Sequence, residues 1–417
     1  MPKRENRFHG ILVIDKPGLV HNNKNERLYT SHDVVQIVRR LYRQRRVGHT
    51  GTLDPLASGL MVICLGNATR LVEYYQGYPK QYYAEIVLGA ATDTYDAVGE
   101  ITARSSVPPL TEETLQQALD QFRGDILQMP PVYSAIKQGG ESVHRKARRG
   151  ESVELTPRPV TFYQLDLIRY TEQENDAVSC KAGASQDGET QSSYARVVLR
   201  ARCSAGTYIR SLAHDLGNAL GTHGYLDVLR RESVGSFTLE NAHTLDELEK
   251  AVQETKKQGA EGQSDDDTRV PLTACLEQFL LPMGIALTLP IVTVDAEMAQ
   301  RFGYGQKVSL PFICFDESFG PIKTGMLAQA RQGVDTGSQD VVRTLNEDGE
   351  QGQFLGVIRC LSYSKAENAG SVKSVESTSD SQADPVEPVD STEDHTNKHS
   401  TSKAAGTSIW KAEKWFG

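Results

Sequence analysis

Hydrophobic positions along the first 250 residues alternate between a strand period and a helix period. Phe8 and Ile11 to Ile14 form a short apolar run that stops at Asp15-Lys16-Pro17-Gly18, which reads as a strand followed by a turn. After a polar stretch at 19–29, Val34, Val35, Val38 and Leu41 recur at helical spacing behind Ser31, a suitable N-cap. Residues 82–88 alternate as a strand. Thr111 caps a helix over 111–123 with Leu115, Leu119 and Phe122 on one face. Residues 151–169 read as a hairpin broken at Pro157 and Pro159. A strand over 194–203 passes through Gly206-Thr207 into a helix over 208–220. Ile209, Leu212, Leu216 and Leu220 share its inner face, and Gly221 ends it.

Elsewhere the periods break down. The polar stretch 171–192 is expected as a mobile loop, and the charged stretch 250–270 as a linker-like insertion. Beyond residue 285 the pattern turns to short strands at Leu287–Val294, Lys307–Leu310, Gly325–Ala330 and Phe354–Ile358, a small β-rich domain. Residues 362–407 are rich in Ser, Glu, Asp and Thr. They have too little apolar surface to offset the entropy of ordering, so disorder is expected there. Ile409 to Phe416 is apolar again, as either a last strand returning to the β domain or a frayed terminus.

The 417 residues leave room for two or three domains, and 38% hydrophobic content implies that part of the chain is unpacked. A formal charge of −9 argues at first against a nucleic-acid partner. The acids are concentrated in 171–192, 245–270 and 362–407, which together carry −12 and leave about +3 for the remainder, so a basic face is compatible with the total. The six cysteines show no CxxC pair and no metal-like spacing with His, which favours buried free thiols in a reducing compartment. The first nine residues are polar, and no run approaches the ~18 apolar residues of a membrane span. A soluble, cytoplasmic protein is expected.

Arg39, Arg40, Arg43, Arg45 and Arg46 crowd the end of the first helix. They read either as a solvated face that complements the helix dipole or as phosphate contacts. The loop that follows, Gly48-His49-Thr50-Gly51-Thr52-Leu53-Asp54-Pro55, is the most informative segment. Its glycines and proline dictate a tight backbone path, and Pro55 biases Asp54 to an extended conformation. Such a loop can present a carboxylate into a cleft. An Asp-Pro pair on its own is also an ordinary turn.

With Ala57-Ser58-Gly59-Leu60 behind it, this loop resembles the signature loop of the TruB family of pseudouridine synthases. Further segments resemble the same family in order. They are Asp15-Lys16-Pro17 with Ser31-His32-Asp33-Val34-Val35, Lys80-Gln81-Tyr82 with Thr92-Asp93-Thr94-Tyr95-Asp96, Gln128 to Lys137 with Ala147-Arg148-Arg149-Gly150, Cys203 to Arg210, and Leu229-Arg230-Arg231. The resemblance covers about 8–245 and continues weakly to 361. Two departures stand out: the stretch between Gly18 and Ser31 is long for the family, and Glu141-Ser142-Val143-His144 replaces a more basic one.

The resemblance implies an α+β fold. A catalytic domain over 8–245 would have a central mixed, largely antiparallel sheet flanked by helices, with an RNA-clasping insert at about 124–152. A linker and connecting helix would occupy 246–284, and a small PUA-like β-rich domain 285–361. The implied reaction isomerises uridine to pseudouridine in the T loop of tRNA, at the position conventionally numbered 55, after base flipping. It needs no redox step, hence no cofactor and no metal. Asp54 would be the catalytic carboxylate, Arg210 its partner, and Tyr82 the platform beneath the flipped uracil. Tyr208 and Leu229 would line the pocket, Lys16 would support its floor, and His49 would enter the RNA loop. Arg46, Lys137 and Arg148 would hold phosphates. Taken singly, Arg210 also reads as a surface ion pair, Tyr82 as core packing and His49 as a turn residue; Tyr83, on the opposite face of its strand, serves as a control for Tyr82. The implied partner is the T arm of tRNA, for a monomer with no membrane contact and no obligatory protein partner. A guide-RNA-dependent relative and a tRNA-folding factor are the alternative readings.

Overall fold

The computed structural model describes residues 7–18, 28–134, 155–173, 194–261, 275–311, 326–332, 354–365 and 406–416, with isolated positions between 137 and 151. Two compact units emerge, Met1–Leu287 and Thr288–Gly417.

The first unit is α+β around one large sheet. Its main path follows β1 (Gly10–Lys16), β3 (Ser58–Leu65), β8 (Gly224–Val234), β4 (Lys80–Leu88), β7 (Tyr194–Cys203), β6 (Arg158–Gln173) and β5 (Gly124–Gln128). The short β2 (Val47–His49) pairs with β3. Neighbours along the path are antiparallel except β3 and β8, which run parallel where Arg230 pairs with Ser58 and Arg231 with Gly59. That exception brings a strand from late in the chain against the loop that precedes β3.

Strand alternation decides which face is buried. On β4, Tyr82, Ala84, Ile86 and Leu88 enter the core. Glu85 points to the other face, where Arg196 Nη1 lies 2.7 Å from both Glu85 and Asp227. The core face is covered by α1 (Ser31–Leu41), α2 (Glu112–Asp120), α3 (Ile209–Ala219) and α4 (Leu245–Glu261). Val34, Val35 and Val38 on α1, and Leu212, Ala213 and Leu216 on α3, supply the apolar stripes.

Four expectations change. The N-cap of α1 is Thr30, in a capping box with Asp33, which frees the Ser31 hydroxyl for another task. Residues 158–173 form one strand, so the expected hairpin is absent. Pro159 is tolerated because it pairs with Leu127 of β5, while β7 joins β6 only from Phe162 onward, leaving one side without a ladder to break. The expected linker begins as helix, because Leu245, Leu248 and Val252 repeat at helical spacing and pack into the core. The boundary of the acidic stretch also moves, since β12 (Phe354–Lys365) extends past residue 361. Residues 174–193, 262–274 and 366–405 lie outside the described residues.

The second unit is a five-stranded sheet in the order β9 (Ile291–Val294), β11 (Leu327–Gln332), β12, β13 (Gly406–Trp415), β10 (Val308–Pro311). The C-terminal apolar run is therefore a central strand. It pairs with β12 on one side and β10 on the other; Trp410 is fully buried in that core, and the Trp415 ring packs on Phe302 of α5 (Ala296–Gly303).

Candidate active site

Three buried polar side chains from separate elements shape the Gly48–Ala57 loop. Lys16, the last residue of β1, is fully buried. Its Nζ donates to the carbonyls of Pro17 at 2.9 Å, Pro55 at 3.1 Å and Ala57 at 2.5 Å. Arg231 of β8 donates to Leu60 O at 2.7 Å, Thr52 O at 3.3 Å and Gly51 O at 3.2 Å. Ser31 Oγ accepts from Leu53 N at 2.8 Å and donates to Leu53 O at 2.9 Å. Backbone groups on both sides of Asp54 are thus tied down, as buried polar groups must be. The loop is also squeezed. Gly59 has a φ of +104°, and a Cβ there would lie 2.3 Å from Arg231 O.

Asp54 is presented to Arg210 on the first turn of α3. Arg210 Nη2 donates to Asp54 Oδ1 at 3.2 Å, and Nε lies 2.9 Å from Oδ2 without the alignment of a hydrogen bond. The exposures differ in a way that matters: the Arg210 side chain is 5% exposed and that of Asp54 28%. The guanidinium is anchored in protein while the carboxylate stays partly open to solvent. Arg210 also donates to Tyr133 O at 3.0 Å and Thr94 O at 3.2 Å. Asp96 Oδ2 lies 3.6 Å from its Nη1. Burial raises the Asp96 carboxyl above its usual range, opposed by hydrogen bonding from Thr94 and the Arg210 charge. The fork is therefore held from two directions, which fixes the orientation of Asp54.

Tyr82 is buried on β4, paired with Arg231 of β8, and burial pushes its hydroxyl up to about 12. The nearby Arg231 charge opposes that shift, and the phenol keeps its proton at neutral pH. Tyr83 faces the other side of the sheet and donates to Glu85 at 2.8 Å, a structural role. Tyr208 is the N-cap residue of α3; its backbone is clasped by the Gln128 amide at 2.8 and 3.0 Å, and burial raises the pKa of its hydroxyl. Leu229 is buried in the same apolar cluster as Leu53 and Tyr82. His49 is half-buried at the end of β2, and burial, reinforced by the Arg231 charge, lowers its pKa.

The arginine cluster divides. Arg39 donates to Val47 O at 2.9 Å, and Arg40 pairs with Glu249 at 2.8 Å. Arg43, Arg45 and Arg46 are exposed, with Arg46 also reaching Asn67 at 3.3 Å. The side chains of Lys137 and Arg148 lie outside the described residues. Sequence reasoning missed Arg231, Asp96 and the role of Ser31. Nothing in periodicity separates Arg231 from Arg230, which is partly exposed and pairs with Asp15 at 2.6 Å. The parallel β3–β8 pairing that aims Arg231 into the loop spans some 170 residues of chain.

The sequence model of the TruB family pseudouridylate synthase N-terminal domain matches residues 39–209, and that of the tRNA pseudouridylate synthase B C-terminal domain matches 210–288. The tRNA pseudouridine synthase B of Dehalococcoides mccartyi is 40% identical over 304 residues, covering 72% of this chain and 84% of that protein. The enzyme of the same name from Xanthomonas campestris pv. campestris is 40% identical over 306 residues, covering 73% and 83%. A chain of a solved Cbf5-Nop10-Gar1 complex aligns over 85% of this chain and 78% of its own length with a TM-score of 0.53 at 22% identity, a likeness of fold. Fold and matches together define a pseudouridine synthase. The chain belongs to the TruB family of these enzymes.

Two measurements check the loop. Ser31→Ala frees both backbone groups of Leu53, and a loss of about 1.4 kcal/mol in positioning lowers kcat about tenfold; an unchanged kcat would show that the clamp does not matter. Burial lowers Lys16 to about 8, opposed by the Asp54 charge, whereas the unfolded chain keeps that proton to about 10.5. Between those values unfolding takes up a proton, so the Lys16 contribution to stability grows as pH rises from 8 to 10.5 and is lost as pH falls back. Melting temperatures across that window should rise less, or fall more, in Lys16→Met than in the parent; parallel curves would contradict this.

Proposed function

We propose that the chain isomerises a uridine in the T loop of tRNA, at the position conventionally numbered 55, with Asp54 as the catalytic carboxylate. The observation that carries this reading is the Asp54–Arg210 pair, an oriented carboxylate open to substrate on one side and fixed by a buried guanidinium on the other. Pseudouridine formation breaks the bond between ribose and N1, turns the uracil, and closes a bond to C5. A carboxylate that acts as nucleophile or base at the glycosidic centre can open the first bond. Arg210 favours the ionised form that this needs.

Extruding the uridine forfeits stacking, which Tyr82 restores from below with Leu229 and Tyr208 at the pocket walls. The protonated Tyr82 hydroxyl is a donor, suited to assist a proton transfer at the base. Lys16 supports the floor through the loop carbonyls and takes no part in the reaction. His49 fills the space that the flipped base leaves in the RNA loop. Arg46, together with Lys137 and Arg148, binds phosphates, so affinity falls with added salt. The β-rich second unit is a PUA-like domain that contacts the acceptor end. The enzyme works as a monomer on naked tRNA, without guide RNA, cofactor or obligatory protein partner. Relatives at 40% identity carry the tRNA-directed name, which supports the substrate. No helix among the described residues is long and apolar enough to cross a membrane; the cytoplasm, where tRNA is matured, is its place of action.

Incubation with an unmodified tRNA transcript followed by chemical mapping tests the reading. The parent protein should yield pseudouridine in the T loop. Asp54→Asn should lower the rate about a thousandfold or more while binding tRNA within about threefold of the parent. No product from the parent, or undiminished product from Asp54→Asn, would overturn it.

A further inference from the structure

Helix α3 carries Arg210 and, one turn later on the same side, His214. Arg210 reaches Asp54; His214 reaches the turn that holds Arg210 from behind. The Tyr95 ring stacks on His214 with centroids 4.1 Å apart and planes 11° from parallel. Tyr95 lies between two groups that face Arg210 Nη1: the Thr94 carbonyl at 3.2 Å and Asp96 Oδ2 at 3.6 Å.

The backbone of Tyr95 has a φ of +62°, a left-handed conformation that bulky side chains rarely adopt. Strain of this kind persists where surrounding contacts over-determine it, and it gathers at functional sites. Here the contacts are visible. Leu226 N donates to Tyr95 O at 3.0 Å, Thr92 Oγ1 to Asp96 O at 2.8 Å, and Thr94 Oγ1 to Asp96 Oδ1 at 2.6 Å. These bonds shape the turn and tie it to β8. Towards α3 the turn is tied by Arg210 itself and, one helical turn further on, by the ring stack. Burial and the nearby His223 lower the pKa of His214, so an uncharged imidazole meets an uncharged phenol at neutral pH.

We propose that the Tyr95–His214 stack is a positioning clamp for catalysis: it seats the strained 94–96 turn against α3 and so sets the angle at which Arg210 offers its fork to Asp54. Neither ring touches substrate in this account. The inference rests on the reading of Asp54 and Arg210 as the active pair. A misplacement well under 1 Å at a reacting carboxylate is enough to slow the chemical step while leaving RNA binding intact.

Single-turnover rates, tRNA dissociation constants and melting temperatures are measured for the full chain and for His214→Ala, His214→Phe, Tyr95→Gly and Asp54→Asn. His214→Ala is expected to react about tenfold more slowly with a dissociation constant within about twofold of the parent. His214→Phe keeps a flat ring to stack and is expected to recover the rate to within about threefold. Tyr95→Gly adopts the positive φ without strain, which offsets part of what the lost stack costs, so its melting temperature falls less than that of His214→Ala, yet it loses the ring and reacts as slowly as His214→Ala. That separation of rate from stability is what a merely structural contact would not give. The clamp is overturned if His214→Ala or Tyr95→Gly reacts within about twofold of the parent, or if His214→Phe is as slow as His214→Ala. Product formed by Asp54→Asn would overturn the underlying assignment of the site.

Discussion

A guanidinium 5% exposed and a carboxylate 28% exposed meet near the surface of the first unit, and the surrounding framework keeps them in register. Leaving a buried charge without its partner costs about 3–5 kcal/mol, so Arg210 needs acceptors on every side that Asp54 does not cover. The carbonyls of Thr94 and Tyr133 and the carboxylate of Asp96 supply them, two from the 94–96 turn and one from residue 133. Asp54 in turn sits on a loop whose backbone groups are taken up by Lys16, Arg231 and Ser31. The parallel β3–β8 contact matters for this reason, because it delivers Arg231 to the loop.

Local chemistry was legible in the sequence, and long-range delivery was not. The Gly-rich run before Asp54, the strand-to-helix passage at Tyr208 to Arg210, and the alternation that separates Tyr82 from Tyr83 all follow from short-range rules, and the structure has these elements in place. Ser31 shows the limit. Its residue type and position suit an N-cap, but Thr30 with Asp33 caps α1, and the Ser31 hydroxyl serves a loop 22 residues away. Arg231 was hidden because its function depends on a strand pairing that one sequence does not reveal. Pro159 misled in the opposite sense: a proline that breaks a central strand is harmless where only one neighbour is bonded.

The C-terminal strand β13 follows from the same logic of distance. Its apolar run looked orphaned behind a long acidic stretch, yet loop-closure entropy grows slowly with length, and a central position in the second sheet with Trp410 buried offsets it. The negative net charge likewise comes from the acidic stretches, and Arg43, Arg45 and Arg46 remain exposed at the end of α1.

The orientation of Asp54 depends on the shape of the Arg210 side chain as well as its charge. Arg210→Lys keeps the cation but loses the planar fork that bonds Asp54, Thr94 and Tyr133 together. Its single-turnover rate on tRNA should fall about a hundredfold with tRNA binding unchanged. A lysine variant within about threefold of the parent rate would show that charge alone suffices and would contradict the claim that the fork orients Asp54.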